Sequence, residues 1–201
     1  MQLSELQLDT LTELINIGVG RAAGVLNQMT QFPVKLQVPA ITLLRPQQLA
    51  KESGLNDDDP FASVQLNFKG LFSGNAALVF PTNSAVKLVS ILTGESPASD
   101  IDEITVGTLN EVGNIVLNGI MGSISNVLEQ GLKYSLPSYS EQALIELYDI
   151  DHLKPESIIL IGKTQFSVEE IHIEGEILLI FELGSFDALI NAIDNILAAN
   201  A

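Results

Sequence analysis

The chain has no cysteine and no tryptophan, and its 201 residues include only nine basic side chains against 25 acidic ones. Without cysteine there is no disulfide framework, no thiol nucleophile and no thiolate metal site. With a formal charge of −16 and its cations spread singly, the chain lacks the basic footprint that displaces counterions from phosphates. Nucleic acid is therefore excluded as a partner, and an anionic membrane surface on the same ground. The opening residues, MQLSELQLD, show no basic-then-apolar signal pattern. No apolar run reaches the ~18 residues of a membrane span. Hydrophobic residues nevertheless make up 46% and charged ones only 17%, enough apolar material for a core. The expectation is a globular cytoplasmic protein.

Shifting the chain against itself by 98 positions aligns Asp9–Pro39 with Gly107–Pro137. Eight of the 31 pairs are identical, including Glu13/Glu111, Asn16/Asn114, Gly24/Gly122 and Pro39/Pro137. Chance pairing would give about two. The likeness resumes at a shift of 101, with Gly74/Gly175, Leu78/Leu179, Phe80/Phe181, Ser84/Ser185 and Leu88/Leu189. The chain reads as one domain, residues 1–201, built from two repeats at about 3–94 and 102–199.

Each repeat opens with a long helix, residues 4 to about 30 and 102 to about 130, the first with a capping box at Ser4 and Gln7. Extended segments follow at 34–44, 62–70 and 74–80, and again at 133–140, 156–168 and 170–181. Amphipathic helices at 83–92 and 185–199 close the repeats, and short helical turns are expected in RPQQLAKES and EQALIELYDI. The pattern predicts an α+β fold: a mainly antiparallel sheet of about six strands packed with helices, pseudo-twofold symmetric around one shared core.

Both long helices carry a polar stripe. At about 100° per residue, Asp9, Glu13, Asn16, Gly20, Gly24 and Asn27 cluster within about 40° of one line. Glu111, Asn114, Asn118, Gly122 and Ser125 do the same on the second helix. Leu8, Leu11, Leu14, Ile15, Ala22, Val25, Leu26 and Met29 lie opposite on the first, as do Leu109, Val112, Val116, Ile120, Ile124 and Val127 on the second. A merely solvated face is built from good helix formers. Glycine costs about 1 kcal/mol against alanine, and asparagine is also a poor interior choice. Two readings stand: a surface open to a partner backbone, or helix-to-helix packing through the glycines.

The spacings Asp9-x3-Glu13-x2-Asn16-x22-Pro39 and Gly107-x3-Glu111-x2-Asn114-x22-Pro137 resemble the doubled signature of the CheC/CheX/FliY phosphatases, [DS]-x3-E-x2-N-x22-P. Stand-alone CheC is the best match in length, with no stretch corresponding to the extra switch domain of FliY. The resemblance implies hydrolysis of the aspartyl phosphate of a CheY-type response regulator in chemotaxis. It implies that Asn16 and Asn114 enter the partner's site and orient water, while Glu13 and Glu111 pair with a regulator lysine. Asp9, Pro39 and Pro137 would support the motif, and Gly20, Gly24, Asn118 and Gly122 would line the docking face. No cofactor is implied for this chain, since Mg²⁺ belongs to the phosphorylated partner. The deamidase CheD is a further partner the family suggests, and the alternative reading is a non-catalytic binding module for the phosphorylated regulator, CheD or the flagellar switch. Gly107 departs from the pattern, where the family has Asp or Ser.

Other motifs reduce to structure. His152 and His172 have no companion ligands, which argues against zinc or a hydrolase triad. Asn56-Asp57-Asp58-Asp59 lacks the ligand spacing of a calcium loop. Gly162-Lys163-Thr164 reads as strand rather than phosphate loop, and Phe61, Phe68, Phe72, Phe80, Phe181 and Phe186 as core.

Overall fold

Both long helices begin where side chains satisfy their first backbone donors. Ser4 N–H donates to Gln7 Oε1 at 2.9 Å and Gln7 N–H to Ser4 Oγ at 3.2 Å, the reciprocal capping box expected from the sequence. Helix α1 then runs Glu5–Met29. In the second repeat Asp102 accepts from Thr105 N–H at 2.8 Å and α3 runs Glu103–Val127. The hydrogen bonds from Thr105 hold the Asp102 carboxyl below its ordinary range. The computed structural model describes residues 3–29, 33–48, 61–95, 101–142, 157–168, 171–182 and 184–199.

The remaining elements are β1 (Val34–Gln37), β2 (Ile41–Leu44), β3 (Phe61–Lys69), β4 (Gly74–Pro81), α2 (Thr82–Thr93), β5 (Lys133–Tyr134), β6 (Ser138–Gln142), β7 (Ile158–Val168), β8 (Ile171–Phe181) and α4 (Ser185–Ala199). The segments expected as single strands at 34–44 and 133–140 are each broken in two, at 38–40 and 135–137. Pro39 and Pro137 sit in the breaks, where a residue without an N–H ends a ladder. A helical turn begins at 46–48, inside the first of the two expected. The second opens with Glu141 and Gln142 in strand β6 instead of a helical turn, and its remainder, with His152 and Asn56 to Asp59, lies outside the described residues.

Eight strand segments fill six positions of one antiparallel sheet. The order is β1-β7-β8-β4-β3-β5, with β2 also on β7 and β6 also on β3. The halves interlock: β1 and β2 of the first repeat pair with β7 of the second, and β5 and β6 of the second pair with β3 of the first. Neither repeat closes its own sheet. The pseudo-twofold axis passes through the central β4–β8 pair. There Gly74 faces Phe181, and Gly175 packs against Phe80, the two pairs being images of one another. A Cβ on Gly175 would come within 2.6 Å of the Phe80 ring, so this glycine makes room for the other repeat's aromatic, while one on Gly74 would meet the Ile180 carbonyl oxygen and, at 2.7 Å, the Phe68 ring.

All four helices contribute to the larger core on one face of the sheet, joined by Phe68, Phe72, Phe80, Phe166, Phe181 and Phe186. The opposite face holds a smaller cluster that includes Phe61, Val79, Ile161, Leu178 and Ile180. Val25, Met29 and Val127, expected on the buried arcs, are instead 44%, 56% and 38% exposed, all three toward the C-terminal ends of their helices.

Among the described residues Glu176 is the one buried acid, on β8 opposite Lys163 of β7 and Val79 of β4. Its Oε2 has no hydrogen-bond partner. Burial pushes its carboxyl up to about 7, partly countered by the Lys163 charge. Between the ordinary value of 4.5 and about 7 the unfolded chain releases this proton and the folded chain keeps it. Stability is therefore lost as pH rises through that window. Discounted for the part of the carboxyl that still meets solvent, the loss is about 2 kcal/mol. Denaturant melts at pH 5 and pH 8 are expected to differ by about that much less in Glu176→Gln than in the parent. Equal differences in both proteins would show that Glu176 is ionised throughout.

Candidate functional site

The two polar stripes lie on open faces of α1 and α3. Glu13 and Glu111 are exposed; Asn16 and Asn114, one turn further on, are half-buried. Where a Cβ would stand on Gly20, Gly24, Gly107 or Gly122, no atom lies within 4 Å. The helices do pack through glycines, but through others. A Cβ on Gly18 would lie 2.6 Å from the Gly119 carbonyl oxygen, and one on Gly119 2.8 Å from that of Gly18. Close helix crossing thus explains Gly18 and Gly119 and leaves the stripe glycines free of any packing role.

The two Glu-x-x-Asn pairs differ in what holds the carboxamide. In the first repeat Asn16 Nδ2 donates to Val38 O at 2.9 Å and to Thr12 O at 3.1 Å, while Val38 N–H donates to Asn16 Oδ1 at 3.0 Å. The amide grips both polar groups of the residue immediately before Pro39. The 22-residue interval between Asn and Pro is the chain length needed to bring the β1–β2 break under the helix. Val38 is 1% exposed, so this grip satisfies backbone groups that water does not reach.

In the second repeat the counterpart of Val38 is Leu136, which is 89% exposed. Its segment is drawn to the sheet: Ser135 N–H donates to Asn67 O and Asn67 N–H to Ser135 Oγ, both at 2.9 Å. Among the described residues no backbone group pairs with Asn114. Its Oδ1 accepts instead from Asn118 Nδ2 at 2.5 Å. The pair beside Gly107, where the motif departs from the family pattern, is thus the one whose amide no backbone group among the described residues holds.

Toward their C-terminal ends the stripes do structural work. Asn27 accepts from Val34 N–H and Ser125 donates to Gln130 O, each fastening the loop after its helix. Toward their N-terminal ends lie two residues that sequence reasoning missed. Leu6 and Ile104, 98 positions apart, are 59% and 52% exposed on the same line as Glu13 and Glu111. Their signal was present: a large apolar residue at a polar helical angle, in both repeats.

Among the described residues no group of three or more His, Cys, Asp or Glu side chains could hold a metal ion. Nor is any helix long and apolar enough to cross a membrane. His172 is exposed, with Nδ1 2.9 Å from Ser167 Oγ, and Gly162 to Thr164 lie in β7. A groove of 840 Å³ runs between α4 and the end of α3, lined by Leu71, Val127, Asn191, Asn195 and Ile196 among others. None of the motif residues borders it.

The family model described as chemotaxis phosphatase CheX matches residues 62–160, the stretch that contains Glu111 and Asn114 but not α1. The CheY-P phosphatase CheC of Bacillus subtilis is 29% identical over 143 residues, 69% of this chain and 68% of that one. The flagellar motor switch phosphatase FliY of the same bacterium is 21% identical over 196 residues, 96% of this chain. The chain spans 50% of the length of that relative. The crystal structure of Thermotoga maritima FliY matches with a TM-score of 0.76 at 16% identity, covering 97% of this chain and 99% of that one. The FliM middle domain from H. pylori gives 0.69 at 12%, covering 94% and 99%. At these identities the two structures speak for the shared fold alone. The sequence relatives, the family model and the fold all point the same way: the chain is similar to the CheC/CheX/FliY family.

Proposed function

We propose that the chain hydrolyses the aspartyl phosphate of a CheY-type response regulator, with Glu111 and Asn114 as the principal working pair. The observation that carries this reading is the open face of α3. There an exposed carboxylate and an amide that no backbone group among the described residues claims stand one turn apart. The acyl phosphate is intrinsically labile. Water attacks phosphorus in line, the bond to the aspartate oxygen breaks, and carboxylate and inorganic phosphate leave. Such a reaction asks mainly for positioning, and an amide that both donates and accepts can supply it. Glu111 would dock against a regulator cation, with Mg²⁺ held by the regulator. Glu13 and Asn16 form a second pair whose amide is engaged on Val38. The open glycines and the apolar Leu6 and Ile104 would let a partner surface lie flush along each stripe.

The test mixes the protein with a phosphorylated CheY-type regulator and follows loss of the acyl phosphate. Acceleration is expected, and the Asn16→Ala/Asn114→Ala double variant is expected to return the decay to the regulator's own rate. Undiminished turnover in the double variant would defeat the mechanism. The FliM likeness supplies the rival reading, a contact module. Measurable binding of the phosphorylated regulator with unaltered decay in the parent protein would favour that rival.

A further inference from the structure

Resting on the phosphatase reading, we infer that Asn118 is a positioning residue for Asn114, setting which end of that carboxamide faces the phosphoryl group. The two repeats solve the same problem differently. In the first, the residue one turn beyond the Asn is Gly20, which has no side chain to offer, and Val38 orients Asn16 through both of its backbone polar groups. In the second, the strand break is held to Asn67, and the only hydrogen bond made by the Asn114 side chain among the described residues comes from Asn118, at 2.5 Å. An unrestrained terminal amide turns over between two nearly equivalent orientations. With Asn118 donating, Oδ1 is the pinned end. Its second lone pair remains to accept a hydrogen bond from the attacking water, and both Nδ2 protons remain to face phosphoryl oxygens.

Asn110, four residues before Asn114, extends the run to three asparagines at helical spacing, and its Oδ1 is buried without a partner. A helix selected for stability alone would not keep such a run.

Three substitutions test this. Asn118→Ala removes the donor; Asn118→Asp keeps the shape but can only accept, so Asn114 would turn Nδ2 toward it and present the wrong end. Asn118→Gln keeps an amide donor. Phosphatase kinetics are expected to show kcat lower by roughly 10–100-fold in the Ala and Asp variants. KM is expected within about twofold of the parent for the Ala variant, with much of kcat retained in the Gln variant. The side-chain amide signals of Asn114 in a ¹⁵N spectrum of the free protein are expected to move in Asn118→Ala. An active parent with unchanged kcat in Asn118→Ala, a loss confined to KM, or unmoved amide signals would overturn the inference. An inactive parent whose amide signals still move would instead strike down the phosphatase reading and leave the orienting contact standing.

Discussion

Replacing Asn114 by alanine is expected to slow regulator dephosphorylation by about two orders of magnitude, close to the regulator's own decay. The same change is expected to leave thermal stability almost untouched. Asn114 makes one side-chain hydrogen bond among the described residues, to a neighbour on its own helix. Alanine moreover propagates a helix better than asparagine, by about 0.6 kcal/mol, which offsets that loss. Activity and stability should therefore separate: kcat collapses while the melting midpoint stays within about 2 °C. Single-turnover decay of the phosphorylated regulator, beside a thermal melt of the same sample, measures both. Near-parent turnover in Asn114→Ala would mean that α3 does not carry the chemistry.

Asn16→Ala is expected to behave in the opposite way. It removes three hydrogen bonds and strands the N–H and carbonyl of Val38, a residue only 1% exposed. An unsatisfied buried polar group costs about 1–3 kcal/mol, and partial hydration of the loosened break together with better helix propensity reduces the sum to about 3 kcal/mol. For a chain of this size the melting midpoint should fall by roughly 6–12 °C. Turnover measured well below that midpoint should stay within about twofold of the parent, because the chemistry is assigned to Glu111 and Asn114. A large loss of kcat without a fall in melting temperature would show that Asn16 leaves Val38 to work in a partner's site.

Together these variants ask of each repeat which role its asparagine serves. The motif is the same in both, yet one copy holds a strand break in place and the other presents an amide to solvent. Gly107 belongs to the same contrast. Asp9 is exposed on α1, and the corresponding space at Gly107 is empty. A side chain at that position is not part of how α3 packs.

Much of the fold was legible because it rests on local spacing. The Ser4 and Gln7 cap, the buried line from Leu11 to Leu26 and the three-residue step from Glu111 to Asn114 follow from 3.6 residues per turn. The closing helices needed nothing more than their apolar period. The strand breaks at 38–40 and 135–137 were less visible, since alternation runs through them and only a proline hints at the interruption. The exchange of β1 and β5 between repeats left no local trace at all. A strand pairs by register with whatever edge the tertiary fold presents, and its residues read the same beside either partner.

By itself the sequence determined that the unit is duplicated, that each long helix buries one face, and that a carboxylate and a carboxamide share the other. All of these are periodicities, set within a few turns of chain. Only the tertiary structure decided which asparagine is free. That depends on where the backbone 22 residues downstream comes to rest: Val38 under α1, gripped by Asn16, and Ser135 drawn onto Asn67 of β3 so that Leu136 stands in solvent. Identical local signals diverge there because a hydrogen bond between distant segments belongs to the packing that brings them together, and the two halves of this molecule pack their strand breaks differently.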